Sequence, residues 1–258
     1  MILNYATGLT RSDIVVRGKE LMQEEDFAEY EKRIQQRLTG RPLQYILGMQ
    51  YFMGLPFRVN QSVLIPRMDT EVLVEQVLGI IRGQHWKRAE ILDMCTGSGA
   101  IGVSIAANVS DARVTLTDSS ESALHTAASN AELNGVTKRC TFLLGDMFKA
   151  LPDGRTFNMI ICNPPYIATQ VIDGLAVEVK DYEPRQALDG GADGLDFYRI
   201  IADRAADYLA DRGILALEIG ADQGESVPAL LKETGRYGKV VVIKDLAGLD
   251  RVVLTTRK

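Results

Sequence analysis

Histidine, cysteine and tryptophan are scarce in this chain, at two, three and one among 258 residues. With only His85 and His125, and with Cys95, Cys140 and Cys162 far apart and free of any Cys-x-x-Cys pair, neither a metal site nor a disulfide framework is expected. The cysteines read as buried thiols behaving as small apolar residues, and the histidines as surface or helix residues. No apolar run is long enough to cross a bilayer, and the first residues lack the basic and apolar regions of a leader, so a cytoplasmic location is expected. Long runs of Lys or Arg are also missing and the net charge is −5, which leaves no electrostatic footprint for duplex nucleic acid. Internal repeats and low-complexity segments are absent.

What is present is enough apolar residue, 46%, to exclude disorder and fill a sizeable core. The length calls for one large core with an appendage. From Ser12 to Gly40 apolar residues recur at helical intervals, Ile14, Val15, Leu21 and Met22 and then Phe27, Tyr30, Ile34 and Leu38, which predicts a short helical hairpin. The stretch 41–48 breaks that period, and Gly54 and Pro56 within Tyr51 to Val59 predict a small hairpin or connector. A helix then runs from about Asp69 to Gly83. Beyond it, short apolar strands alternate with helical segments up to Glu218, the pattern of a doubly wound, mostly parallel sheet with helices on both faces. Two closing strands, Lys239 to Lys244 and Arg251 to Thr256, have too short a link for a crossover helix and are expected to form an antiparallel hairpin at one sheet edge.

In such a sheet, ligands bind outside the carboxyl ends of the strands where the winding reverses, and the first strand-to-helix turn carries a glycine-rich loop. Here that turn is Asp93-Met94-Cys95-Thr96-Gly97-Ser98-Gly99-Ala100-Ile101-Gly102. Gly97, Gly99 and Gly102 match the dinucleotide fingerprint, a weak signal alone. Charge separates two candidate cofactors. Asp93 beside the loop repels an anionic pyrophosphate and attracts the sulfonium and ammonium of S-adenosylmethionine, while backbone donors of Cys95, Thr96, Gly97, Ser98 and Gly99 can receive a carboxylate. Asp118, ending the next strand, is placed for ribose hydroxyls. Asp146 follows the third strand, with Met147 and Phe148 expected to wall an adenine ring.

The most informative segment is an apolar strand, Phe157 to Cys162, that ends in Asn163-Pro164-Pro165-Tyr166. Two prolines fix backbone torsions and hold the preceding residues extended. An amide or aromatic amine nitrogen is a poor nucleophile because its lone pair is delocalised. Asn163 through its side-chain oxygen and Pro164 through its carbonyl could each accept one hydrogen of an NH2 group and aim the lone pair, with Pro165 shaping the corner and Tyr166 stacking on the planar group.

With these residues placed, the chain resembles the protein-glutamine methyltransferases that modify the Gly-Gly-Gln glutamine of class I peptide-chain release factors. The likeness extends to Pro42-Leu43-Gln44-Tyr45-Ile46-Leu47-Gly48, Ile65-Pro66-Arg67 with Thr70-Glu71, Glu183-Pro184-Arg185 with Ala187-Leu188, and Asp245-Leu246-Ala247-Gly248 with Asp250-Arg251. It implies a release-factor substrate and a class I methyltransferase sheet at 67–258. A hairpin linker at 49–66 would join it to a helical substrate-recognition domain at 1–48, shortened against the family pattern. Cys95 stands where the family commonly has a loop glycine, and Met68 and Asp69 replace Pro-Glu, Asp69 reading as a helix cap. Asn-Pro-Pro-Tyr is shared with adenine methyltransferases of nucleic acid, so that alternative stays open. So do a dinucleotide-dependent oxidoreductase and a non-catalytic binding module.

Overall fold

A computed structural model of the chain describes residues 1–84, 86 and 88–258; His85 lies outside them. Its first elements are short helices, α1 (Ile2–Thr7), α2 (Arg11–Val16), α3 (Glu24–Leu38) and α4 (Leu43–Leu47). The helical reading of 12–40 is corrected in one respect. Helix α2, closed at its start by a capping box between Thr10 and Asp13, stops at Val16, and Val15, Val16 and Leu21 are exposed. The apolar spacing there marks no buried face. Residues 43–47, expected to be irregular, form the single helical turn α4, which Gly48 ends in the left-handed region at φ 71. Tyr45 and Ile46 of that turn are buried, and the Tyr45 hydroxyl donates to the Val63 carbonyl at 2.5 Å.

Strands β1 (Met49–Phe52) and β2 (Leu55–Arg58) pair as the expected hairpin. Helix α5 (Met68–Gly83) is capped by the backbone of Arg67; Asp69 sits in its first turn and faces Arg251 at 3.7 Å, so it is not the cap. The main sheet follows, with β3 (Glu90–Met94), α6 (Ala100–Asn108), β4 (Arg113–Asp118), α7 (Glu121–Leu133), β5 (Cys140–Leu144) and β6 (Phe157–Cys162). Two single-turn helices, α8 (Thr169–Ile172) and α9 (Val177–Lys180), precede α10 (Asp196–Tyr208), β7 (Leu209–Glu218), α11 (Ser226–Glu233), β8 (Val241–Lys244) and β9 (Asp250–Thr256).

The strand order is β5-β4-β3-β6-β7-β9-β8, parallel from β5 through β7, with β9 antiparallel to both β7 and β8. Sequence alternation therefore gave the sheet and its edge hairpin correctly. The chain winds outward from β3 to β5, returns to β6 on the other side of β3, and so places its switch point at the carboxyl ends of β3 and β6. Both faces are covered. Ile91, Met159 and Ile161 pack with Leu73, Val77 and Val103 on one side, whereas Leu92, Ile160 and Cys162 pack with Tyr198, Ile201 and Leu231 on the other. Burial on both faces is why these strands read as unbroken apolar runs instead of alternating ones.

The β1–β2 hairpin is fastened to the main body by apolar and polar contacts. Phe52 and Phe57 meet edge to face at 6.0 Å and belong to the same buried cluster as α5 and α6. Asn130 of α7, fully buried, accepts from the Arg58 amide at 2.7 Å and donates to the carbonyls of Arg58 and Ser98 at 3.0 and 2.9 Å. One side chain thus ties the hairpin to the loop after β3. Asn130→Ala leaves the buried Ser98 carbonyl and the part-buried Arg58 amide and carbonyl without this partner, and a loss of about 1–3 kcal/mol is expected. Urea denaturation measures it; an unchanged midpoint would refute the tie.

Candidate active site

The loop after β3 is shaped by backbone torsion and by one carboxylate. Cys95, Gly97 and Gly99 take left-handed φ values of 57, 54 and 79. Glycine is needed at Gly99 for a second reason, since a Cβ there would lie 3.0 Å from that of Ala127 on α7. Beneath the loop, Asp93 is wholly buried; its Oδ2 accepts from the Thr96 hydroxyl and from the Gly102 amide, the latter at 2.9 Å, and its Oδ1 has no partner. Burial pushes the Asp93 carboxyl up to about 7 despite the Thr96 and Gly102 bonds. Asp93 does not reach the cavity wall, and its place is that of a brace for the loop and for the start of α6.

Asp118, at the end of β4, does reach the wall. Its Oδ2 accepts from the Gly97 amide at 2.8 Å and its Oδ1 from the Ser120 amide at 2.9 Å, so it fixes the loop and keeps free lone pairs toward the cavity. Burial raises its carboxyl above the ordinary range, opposed by these backbone donors. Asp146 is exposed at the rim and pairs with Lys149 at 2.8 Å. Met147, at φ 50, lines the cavity next to Cys95, whose thiol lies 3.7 Å from the Met147 sulfur. Cys95 is thus a half-buried cavity residue and not an interior thiol. The expectation for Phe148 is overturned: it stacks on Tyr208 at 5.0 Å, behind the wall.

Across the switch point, Asn163 and Pro165 line the same cavity from the end of β6. Asn163 directs Nδ2 to the Thr70 hydroxyl at 3.4 Å. Pro164 is buried behind them. Tyr166 is half-buried against the second core cluster, its carbonyl accepting from Gln223 Nε2 at 3.1 Å and its hydroxyl directed to Glu218 at 3.4 Å. Burial, with the Glu218 charge, pushes the phenol up to about 12. The structure therefore brings Cys95, Thr96, Gly97, Ser98, Asp118, Asp146, Met147, Asn163 and Pro165 around one space, and sets Asp93, Gly99, Pro164 and Tyr166 outside its lining.

The roof was not read from periodicity. Ser62, Val63 and Leu64 from the segment after β2, Arg67 and Thr70 at the start of α5, and Gln186 and Phe197 from the stretch after β6 complete a cavity of about 930 Å³ including its open mouth. The Arg67 guanidinium pairs with Glu183 at 2.5 Å, and that carboxylate is almost wholly covered. Arg37 of α3 also pairs with Glu178 of α9, so the helical segment and the stretch after β6 are joined. The only signal for this roof was the pair of motifs around Arg67 and Glu183.

Two aspartates on the wall, with Arg67 the only cation lining it among the described residues, fit a cationic cofactor and oppose a pyrophosphate. Asp118 would hold the ribose, and Asp146 with Met147 the base; the Thr96, Gly97 and Gly99 amides expected to receive a carboxylate instead donate within the protein, to Thr117, Asp118 and Thr96. Among the described residues no group of three or more His, Cys, Asp or Glu is gathered as for a metal, and no helix is long and apolar enough to cross a membrane.

Comparison with known proteins gives a consistent picture. The methyltransferase small domain model matches residues 68–180, and the PrmC N-terminal domain model matches 1–48. The release factor glutamine methyltransferase of Moorella thermoacetica is 43% identical over 258 residues, all of this chain and 90% of that one. That of Geobacter sulfurreducens is 43% identical over 98% of this chain and 86% of its own length. Among solved structures, a methyltransferase from Pyrococcus furiosus superposes with a TM-score of 0.56 at 19% identity, covering 90% of this chain and 99% of that one. A ribosomal protein L11 methylase from Lactobacillus delbrueckii gives 0.51 at 20% identity over 74% and 80%. These two likenesses speak for the fold alone.

Asp118→Asn keeps the shape and removes charge and one acceptor, and S-adenosylhomocysteine is expected to bind about tenfold more weakly or worse in calorimetry; unchanged affinity would remove Asp118 from the ribose site. Asp93 gives a pH test. Its proton is held to about 7 in the folded chain and released from 3.8 in the unfolded one. The unfolded state thus binds fewer protons in between, and Asp93 lowers stability as pH rises through that window. Asp93→Asn should gain stability relative to the parent from pH 4 to 7, read as a difference of denaturation midpoints; a constant difference would contradict the shift.

Proposed function

The chain belongs to the release factor glutamine methyltransferase family and is an S-adenosylmethionine-dependent methyltransferase, and from that premise we propose that it methylates the side-chain amide nitrogen of the Gly-Gly-Gln glutamine in class I peptide-chain release factors. The observation that carries the reading is that Asn163 and Pro165 open onto the same cavity as the loop at 95–98 and Asp118. The acceptor corner and the cofactor loop thus face one space, and the near full-length relatives name the acceptor.

S-adenosylmethionine, when bound, supplies an electrophilic methyl group on a sulfonium. The chain's own residues have to orient a reluctant nucleophile. In this reading Asn163 Oδ1, on the cavity wall, accepts one hydrogen of the glutamine NH2, which raises electron density on the nitrogen and presents its lone pair, perpendicular to the amide plane, to the methyl carbon. Tyr166, outside the lining and directed to Glu218, backs the corner from behind and does not stack on the planar group. Such orientation can contribute up to roughly 7 to 11 kcal/mol toward the barrier. No strong base is called for, because the methylated nitrogen is acidic enough to give its surplus proton to water. His125 is exposed on α7 and takes no part.

The helical segment 1–48 would receive the release factor, with the hairpin 49–66 as the link to a catalytic unit at 67–258. A substrate of the translation apparatus implies a cytoplasmic enzyme. The acidic net charge supports a protein in preference to nucleic acid as substrate.

Mass spectrometry of release factor incubated with enzyme and cofactor should find one added methyl group on the Gly-Gly-Gln glutamine, and none on a DNA duplex offered beside it; methylated adenine with unmodified release factor would reverse the assignment. Asn163→Ala is expected to lower kcat by about 10²- to 10³-fold with S-adenosylhomocysteine affinity little changed. Parent-like turnover would deprive Asn163 of its role.

A further inference from the structure

An asparagine can accept hydrogens from an NH2 group in only one of its two amide orientations, because a half-turn about its last bond exchanges the oxygen for a second NH2. In the wrong orientation, Asn163 would meet the substrate amide donor to donor. Something has to hold it.

Asn163 Nδ2 lies 3.4 Å from the hydroxyl oxygen of Thr70, which is 4% exposed in the first turn of α5. For that oxygen to be the acceptor, the Thr70 proton must go elsewhere. Glu218 ends β7, one residue past the Cys162–Leu217 pairing, and so stands beside Asn163. It is 1% exposed, and its Oε2 has no hydrogen-bond partner. A buried carboxylate oxygen without a donor is costly, so the donors around it matter. The Tyr198 hydroxyl is spent on the Glu218 carbonyl at 2.7 Å, and the Arg251 guanidinium on Asp245 at 3.1 and 3.2 Å. Tyr166 reaches only Oε1. Thr70 is left, and its hydroxyl leads the groups that favour the ionised Glu218 against burial, which pushes this carboxyl up to about 7.

We propose that Thr70 and Glu218 are positioning residues for Asn163. Glu218 accepts a hydrogen bond from the Thr70 hydroxyl, the Thr70 oxygen in turn accepts from Asn163 Nδ2, and Asn163 Oδ1 is thereby fixed toward the substrate nitrogen. The relay rests on the amide-methylation reading above and adds to it the groups that choose the orientation of Asn163. It also gives a use to a buried acid that lines no part of the cavity.

Thr70→Val keeps the shape and removes the hydroxyl; Glu218→Met keeps the length and removes the acceptor. Each is expected to lower kcat on release factor by about 10- to 100-fold, with KM and S-adenosylhomocysteine affinity within about threefold of the parent. Thr70→Ser should recover most of the rate. Because both changes cut one relay, the double variant should lose little more than either single one. Unchanged kcat in Thr70→Val or Glu218→Met, additive losses in the double variant, or Thr70→Ser as slow as Thr70→Val would each overturn the proposal. If Thr70→Val fails to fold, Glu218→Met decides alone. A readout independent of turnover is the Asn163 side-chain NH2 in 15N spectra, whose exchange with water should be slow in the parent and faster in both variants; equal exchange would overturn the relay. A parent that binds S-adenosylhomocysteine and leaves release factor unmodified would instead defeat the substrate assignment, with the exchange measurement still deciding the relay.

Discussion

The arrangement of the site depends on the parallel pairing of β3 with β4 on one side and β6 on the other. Met94 is opposite Thr117 in one ladder and Cys162 in the other. The next residues of three strands, Cys95, Asp118 and Asn163, therefore emerge together at one sheet edge. The loop, the Asp118 carboxylate and the Asn163 corner share a single space because their strands share a register, and a slip of one residue in either ladder would turn one of them to the other face.

That convergence gathers acidic groups under burial. Asp93, Asp118 and Glu218 all have carboxyls raised by burial. Each is held by donors from the structure: the Gly102 amide for Asp93, the Gly97 and Ser120 amides for Asp118, and the Tyr166 hydroxyl for Glu218. The interior acids thus fix loops and side chains. The negative potential toward a sulfonium falls mainly to Asp118 and Asp146, which reach the cavity.

The roof has a different physical basis. Arg67 with Glu183, Arg37 with Glu178, and the Tyr182 hydroxyl with the Thr39 carbonyl at 2.9 Å draw the helical segment, the start of α5 and the stretch after β6 against one another. These are contacts between residues more than a hundred positions apart, made largely by polar side chains at the surface. Of them, the Glu183 carboxylate is the one almost fully enclosed, at 1% exposure, and so the least screened by solvent.

Periodicity and punctuation determined the parallel sheet, its terminal hairpin, the glycine loop and the Asn-Pro-Pro-Tyr corner, since each rests on the local torsion and burial of neighbouring residues. The helical turn at 43–47 escaped because five residues are too few to show a period, and Val15 and Leu21 misled because apolar spacing says nothing about whether a partner surface exists. Cys95 and Asp93 show the same boundary: both lie in the recognised loop, yet only the folded chain decides that the thiol borders the cavity while the carboxylate props the turn from below. The positions of Thr70, Phe197 and Glu218 around Asn163 follow from strand order and from helix packing on the sheet. Those are long-range properties, and no local pattern of residues encodes them.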